Sequence, residues 1–179
     1  QALPILNERA GTGNPFFSVL LSISNHPPYV IPPYFHPHSD VLEEQIVEYA
    51  DWSIRQFMQA AEKQPWFDNT IFVFLGDHGK MVGTPECEMP QSYNHIPLMI
   101  YGKDIKPGVY DGFGGQVDVS PTLLGLLNIS YLQNNFGVNL LEEERPCMFF
   151  TADNLIGARD SVNMFIYSPD SLSLIHISE

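Results

Sequence analysis

Two runs of apolar residues set the pattern of the chain. Ile71 to Leu75 are five apolar residues without a polar break, and they end in Gly76, Asp77, His78 and Gly79. A short continuous run of this kind suits a strand buried on both faces, as in a parallel sheet, although a buried helix segment carries the same pattern. The β-branched and aromatic content and the glycine stop favour the strand. Phe16 to Ser24, FFSVLLSIS, is the earlier run and predicts the first strand. It stops at Asn25, His26, Pro27, Pro28 and Tyr29. Pro27 lacks a ladder donor and disfavours helix at His26, so an extended turn is expected there. Between the runs the period changes. Ile46, Ala50, Ile54, Phe57 and Ala61 fall close to a helical repeat, widened by Trp52 and Met58. Ser39 or Asp40 starts this helix, Ser39 being a good cap with Glu43 and Glu44 in the first turn, and Pro65 ends it. Strand, helix and strand in that order predict a right-handed crossover unit of a parallel sheet.

The second half of the chain is less regular. A long loop, Lys80 to Asn94, follows Gly79, and His95 leads through Pro97 into a short strand, Leu98 to Tyr101. Loops of that length in compact domains often carry function. Asp118 to Leu127, DVSPTLLGLL, reads as a helix with Ser120 as cap and Pro121 at its first position. Cys147 to Phe150 and Met164 to Tyr167 read as strands of a hairpin, which makes the C-terminal part antiparallel.

Composition narrows the class. The chain has 179 residues, 44% hydrophobic and 16% charged, enough for one globular domain with a real core. Its net charge is -13 with only 8 Lys and Arg, which argues against nucleic acid as a partner. A small anionic substrate remains compatible, because a bound cation can dominate the local field. Cys87 and Cys147 match no zinc spacing, and whether they pair cannot be read from their positions. No stretch is long and apolar enough to span a membrane, and no signal peptide is visible. These absences carry little weight, because the chain reads as one that starts and stops within a domain. The expected organisation is a domain portion over 1–170 and a non-native tail over 171–179. That tail, SLSLIHISE, resembles the translated read-through of a sequencing adapter. The alternation in LSLIHI also suits a terminal strand.

Candidate chemistry gathers at strand ends. Function in open α/β sheets sits just past the carboxyl ends of strands, where Asp77 and His78 stand. A carboxylate beside an imidazole offers an oxygen and a nitrogen ligand to one divalent cation. The alternative is a turn in which Asp77 caps and His78 is incidental. His26 occupies the same kind of place after the first run. His36 and His38, in the proline-rich loop, are either ligands or solvated loop histidines, the commoner case.

Three motifs line up in one order: SNHPPY at Ser24 to Tyr29, GDHG at Gly76 to Gly79, and YNHIPLMIYG at Tyr93 to Gly102. With the helix segment YADWSIRQFM and DVSPTLLGLL, the chain resembles the sulfatase-type domain of the alkaline phosphatase superfamily. Within it the chain is most similar to the lipoteichoic acid synthase and phosphoglycerol transferase branch, from about Phe16 to about Tyr167. The resemblance implies an α/β fold, a mainly parallel sheet sandwiched by helices with a small antiparallel C-terminal part, here an incomplete domain. It implies a metal-dependent transferase or hydrolase of phosphoglycerol-type or related phosphate esters, in which a Thr or Ser attacks the ester. One divalent metal, Mn, Zn or Mg, is implied, with Asp77 and His78 as ligands. His26 and His95 are implied as substrate contacts, although the role of His95 is also open to a second-metal ligand or a structural histidine. No catalytic nucleophile is identified, since Thr12 and Ser18 lack its context, and it is expected upstream. The fragment alone is therefore expected to be inactive. A small anionic ester or a lipid-linked phosphoglycerol is the implied substrate. An extracytoplasmic location follows from the same resemblance, with membrane contact only through missing N-terminal segments. Asp-His where true sulfatases commonly show Asp-Asn favours phosphate over sulfate. A sulfatase, or a non-catalytic binding domain on the same fold, remains the alternative.

Overall fold

The computed structural model describes residues 2–81, 83–85, 87–170 and 173–178. The chain divides into two compact units, Gln1–Phe72 with Ile100–Ile105, and Val73–Met99 with Lys106–Glu179.

The first unit is built on two helices, α1 (Ala2–Gly11) and α2 (Leu42–Ala61). The helical repeat read between the apolar runs is α2, with Ile46 and Ala61 buried. Its start differs slightly from expectation. Val41 is the N-cap, and Ser39 lies just outside. Ser39 still works on that end: its Oγ accepts from Val41 N at 3.0 Å and donates to Glu44 at 2.5 Å. Tyr34 and Phe35 of the proline-rich loop lie against Tyr49 and Trp52 of α2, with ring centroids 5.3 to 6.5 Å apart. Offset aromatic contacts of this kind stabilise beyond area alone. At the other end of α2, Phe57 meets Phe72, which also packs on Trp66, Phe67 and Tyr101. Asn7 of α1 accepts the Trp66 indole N–H at 2.7 Å.

The expected first strand does not form. Residues 16–23 have no regular structure, Ser24 already lies in a turn, and the segment belongs to neither sheet among the described residues. Phe17 and Leu21 are 85% and 82% exposed, and Val19 and Ile23 are similarly open. An apolar run becomes a strand only when a neighbouring backbone supplies ladder partners. None of the described residues does so here.

β1 (Phe72–Leu75) is the expected strand, and it pairs with β2 (Leu98–Tyr101) in a two-stranded sheet. Gly76 N donates to Pro97 O at 3.3 Å, so the end of β1 lies beside the start of β2. The two therefore run in opposite directions, and the parallel crossover expected between Phe16–Ser24 and β1 is absent among the described residues. The long loop after β1 holds a short helix, α3 (Gln91–Asn94).

In the second unit, α4 (Gln116–Leu126) begins earlier than the reading from Asp118. Gly115 is its N-cap, and the Asp118 carboxylate reaches back to accept Gly115 N at 2.8 Å. Ser120 is therefore not a cap, and Pro121 lies inside the helix. Proline withholds the N–H that the Val117 carbonyl would otherwise receive. Gly137 covers that carbonyl so closely that a side chain there would overlap it.

Beyond α4 lies a four-stranded antiparallel meander: β3 (Met148–Ala152), β4 (Leu155–Arg159), β5 (Asn163–Ser168) and β6 (Ser173–Ser178). The C-terminal part is antiparallel as expected, but the proposed hairpin partners are not neighbours. β4 lies between β3 and β5, turning at Asp153, whose φ is 50°. Gly157 and Arg159 interrupt the apolar pattern of this short strand. Met89, Met164 and Ile166 form its buried cluster, with Phe150, Leu155, Cys87 and Ile177 against it. Residues 173–178 of the expected tail pair with β5 as β6, whereas Ser171, Leu172 and Glu179 lie outside the described residues. Cys87 and Cys147 are both free thiols.

Candidate functional site

The turn after β1 brings Asp77 and His78 together. His78 N donates to Asp77 Oδ1 at 2.9 Å, which folds the carboxylate back over the next residue. Asp77 Oδ2 then lies 3.9 Å from His78 Nε2. The two side chains are 82% and 57% exposed, so both atoms remain open to a ligand. His78 Nδ1 lies 2.8 Å from Gly79 O. A carbonyl can only accept, so Nδ1 carries the hydrogen and the neutral ring keeps its lone pair on Nε2. That is the tautomer a metal ligand needs, oriented by a backbone carbonyl.

The 3.9 Å separation lies inside the upper bound for two ligands of one cation and is wider than the roughly 3.4 Å of a tetrahedral pair. Ligand atoms sit about 2.1 Å from a zinc-like ion, so two of them can share it when they are less than about 4.2 Å apart. The donor set is one hard oxygen and one borderline nitrogen, compatible with Mn, Zn or Mg. Among the described residues no group of three or more His, Cys, Asp or Glu gathers at one point, so this chain presents a pair of ligands.

Two elements hold the turn. On one side, Gly79 N donates to Tyr93 O of α3 at 2.7 Å, and the Tyr93 ring stacks on His78 with centroids 5.2 Å apart. Glycine is required here, because a Cβ at residue 79 would overlap the Ser92 carbonyl. On the other side, Gln116 Nε2 donates to Gly76 O at 3.1 Å and to Asp77 O at 2.9 Å. Tyr93 lay within a motif already singled out. Gln116 did not, because placing the helix start at Asp118 left it in a loop.

Asp118 anchors that helix start. It is fully buried, accepting Val138 N at 2.8 Å and the Arg145 guanidinium through both carboxylate oxygens. Burial pushes its carboxyl up, but the Arg145 contact and the Val138 and Gly115 amides outweigh it and hold the group below the ordinary carboxylate value.

The other candidates are placed separately. His95 ends α3 as its C-cap, is exposed, and donates its backbone N–H to Gln91 O at 2.7 Å. It thus follows, at two residues' distance, the tyrosine that stacks on His78. His26 belongs to the first unit, whereas Asp77, His78 and His95 belong to the second. His26 is exposed in its turn, and its Nδ1 donates to Pro27 O at 2.8 Å, again leaving Nε2 with the lone pair. His38 is engaged by Glu48, which accepts its backbone N–H at 2.7 Å and lies 3.3 Å from its ring. Those contacts, the backbone one foremost, lower the Glu48 carboxyl from its ordinary value. His36 is an exposed loop residue.

Residues 1–129 match the Sulfatase family model. The chain belongs to the sulfatase family. It is 26% identical over 185 residues to lipoteichoic acid synthase 1 of Bacillus subtilis (strain 168), covering 86% of this chain and 28% of that protein. It is 29% identical over 121 residues to choline-sulfatase of Rhizobium meliloti (strain 1021), covering 60% of this chain and 22% of that one. A solved protein in the alkaline phosphatase superfamily from Vibrio parahaemolyticus superposes with a TM-score of 0.79 at 26% identity. It covers 96% of this chain and 46% of the other. The fold is therefore that of the alkaline phosphatase superfamily, and the sulfatase-type chain described here spans less than half the length of each of these three proteins. No helix among the described residues is long and apolar enough to cross a membrane.

Proposed function

We propose that this sulfatase-family chain contributes the metal-binding edge of an enzyme that transfers or hydrolyses phosphoglycerol-type or related phosphate esters. The observation carrying the reading is the convergence of Asp77 Oδ2 and His78 Nε2 at 3.9 Å, with His78 Nδ1 committed to a carbonyl. Asp77 supplies the charged ligand and His78 the neutral one. Asp77 and His78 would hold a divalent cation, which would supply Lewis-acid stabilisation of ester oxygens and activation of a nucleophilic hydroxyl. The remaining ligands and the nucleophile come from parts of the parent protein not represented in this chain. His26 and His95 are each assigned a substrate-contacting role by the motif in which it sits, and each is exposed, so each can meet a solvent-borne anion. The substrate is a small anionic or lipid-linked phosphoglycerol ester, and the parent protein is anchored to a membrane with this domain outside the cytoplasm. The similarity to lipoteichoic acid synthase 1 supports the phosphate reading.

The similarity to choline-sulfatase supports a second reading, a sulfuric ester hydrolase. The two are separated in the parent protein by comparing turnover of a glycerophosphodiester and an aryl sulfate, with and without Mn2+. Phosphodiester turnover that requires Mn2+ and is lost in Asp77→Ala is the expected result. Turnover that survives Asp77→Ala rejects the ligand role, and turnover of the sulfate alone selects the second reading.

A further inference from the structure

We propose that Gln116 is a positioning residue for Asp77 and His78, holding their turn in the shape that aims both side chains at one cation. The inference rests on the metal reading of that pair.

Gln116 is the first residue of α4, and its one amide nitrogen reaches two consecutive carbonyls, those of Gly76 and Asp77. A primary amide carries two N–H groups, so the side chain commits its whole donor capacity to this turn. The two carbonyls belong to the peptide planes on either side of the Asp77 Cα. Peptide planes are rigid, so holding both restrains φ and ψ at Asp77 and hence the direction of its Cα–Cβ bond. His78 is then held from the opposite side by the Tyr93 ring and by the Gly79 contact with α3. The ligand pair sits between two anchors, and Gln116 is the anchor on the carbonyl side.

Gln116 is itself held firmly. Two residues on, Asp118 is buried, caps Gly115 and is gripped by Arg145, so the first turn of α4 has one position. The side chain of Gln116 is exposed apart from its amide contacts, so packing does not explain its placement. Groups that orient metal ligands through hydrogen bonds typically change metal affinity by 10- to 100-fold when removed.

The test uses the full chain, labelled with 15N at histidine, and Mn2+ as the probe. The metal-free wild type is expected to show His78 as the Nδ1–H tautomer, with its signals broadened on adding Mn2+. Gln116→Ala is expected to move the His78 ring signals away from their wild-type positions, as its stack on Tyr93 shifts, and to weaken Mn2+ binding about tenfold. Gln116→Glu keeps the shape, removes both N–H donors and adds a negative charge. Charge alone predicts tighter Mn2+ binding in that variant, whereas positioning predicts weaker binding, and the Glu variant decides if the Ala variant does not fold. Unchanged His78 ring signals and affinity in a folded variant overturn the proposal, as does tighter binding by Gln116→Glu. Failure of the underlying metal reading looks different: Mn2+ then leaves the wild-type His78 signals sharp. Displaced His78 ring signals in the variants still support positioning of the turn in that case, and unchanged ones reject it.

Discussion

Ile71–Gly79 and Phe16–Tyr29 follow the same local design. Each runs an apolar stretch into a histidine-bearing turn, and in each the histidine Nδ1 donates to the carbonyl of the next residue at 2.8 Å. Their surroundings differ. The later run is strand β1, paired with β2, and its turn is tied to Gln116 on one side and Tyr93 on the other. The earlier run has no strand partner among the described residues, and its turn carries a local contact, His26 N to Ile23 O at 3.2 Å. A contact between adjacent residues sets a tautomer cheaply, because the chain already holds the two groups together. Contacts across forty residues must overcome the entropy of closing that loop, so they form only where packing supports them. The difference separates a histidine that is merely shaped from one that is held.

Arg145→Ala attacks the held turn at its root and is expected to have the largest effect. It leaves the buried Asp118 carboxylate unpaired, which destabilises by about 3 kcal/mol or more. Urea unfolding measures the loss, and a change under about 1 kcal/mol would show that α4 does not depend on the pair. The effect has a pH signature. Asp118 titrates below its ordinary value in the folded chain, so the stability it contributes is full above the unfolded pKa, about 3.9, and is lost as pH falls through the folded one. In Arg145→Ala the unpaired, buried carboxyl is instead easier to protonate. The gap between the two proteins should therefore narrow below about pH 4.

His78→Ala and His26→Ala test the comparison directly in the parent protein. Losing His78 should weaken Mn2+ binding by at least about 100-fold, beyond the range expected for outer-shell groups. His26→Ala should leave metal content unchanged while lowering turnover about tenfold. Loss of metal in His26→Ala would make it a ligand and erase the distinction drawn between the two turns.

Gly79→Ala should cost about 2 kcal/mol, in the range for overpacking, since the new methyl overlaps the Ser92 carbonyl. Thermal unfolding measures it, and the His78–Tyr93 stack should loosen with it. The smallest effect belongs to the earlier run. Phe17→Ser removes a side chain that is 85% exposed and should change the stability of this chain by no more than about 0.5 kcal/mol. A loss above about 2 kcal/mol would mean that Phe17 is packed in solution.

Much of this was legible in residue order, because the relevant physics is local. The helical repeat from Ile46 to Ala61 became α2, since one apolar stripe suffices to seat a helix. The run at Ile71 ended where glycine allowed a sharp turn, and the ordered motifs around His26, Asp77 and His95 pointed to the sulfatase family that residues 1–129 match. The adjacency of Asp77 and His78 was likewise written in the chain, and with it their ability to converge. Tertiary structure decided the rest. Ser120 and Pro121 look like a helix start, but α4 begins at Gln116, with Asp118 capping Gly115 while its buried carboxylate is paired with Arg145 from 27 residues away. Phe16–Ser24 looks like a strand, but strand identity belongs to a pair of backbones, and an apolar pattern does not say which backbone lies alongside. Gln116 has no special pattern at all. Its place on two carbonyls forty residues back depends on loop closure and on the Asp118–Arg145 contact that fixes the start of α4, which no local signal encodes.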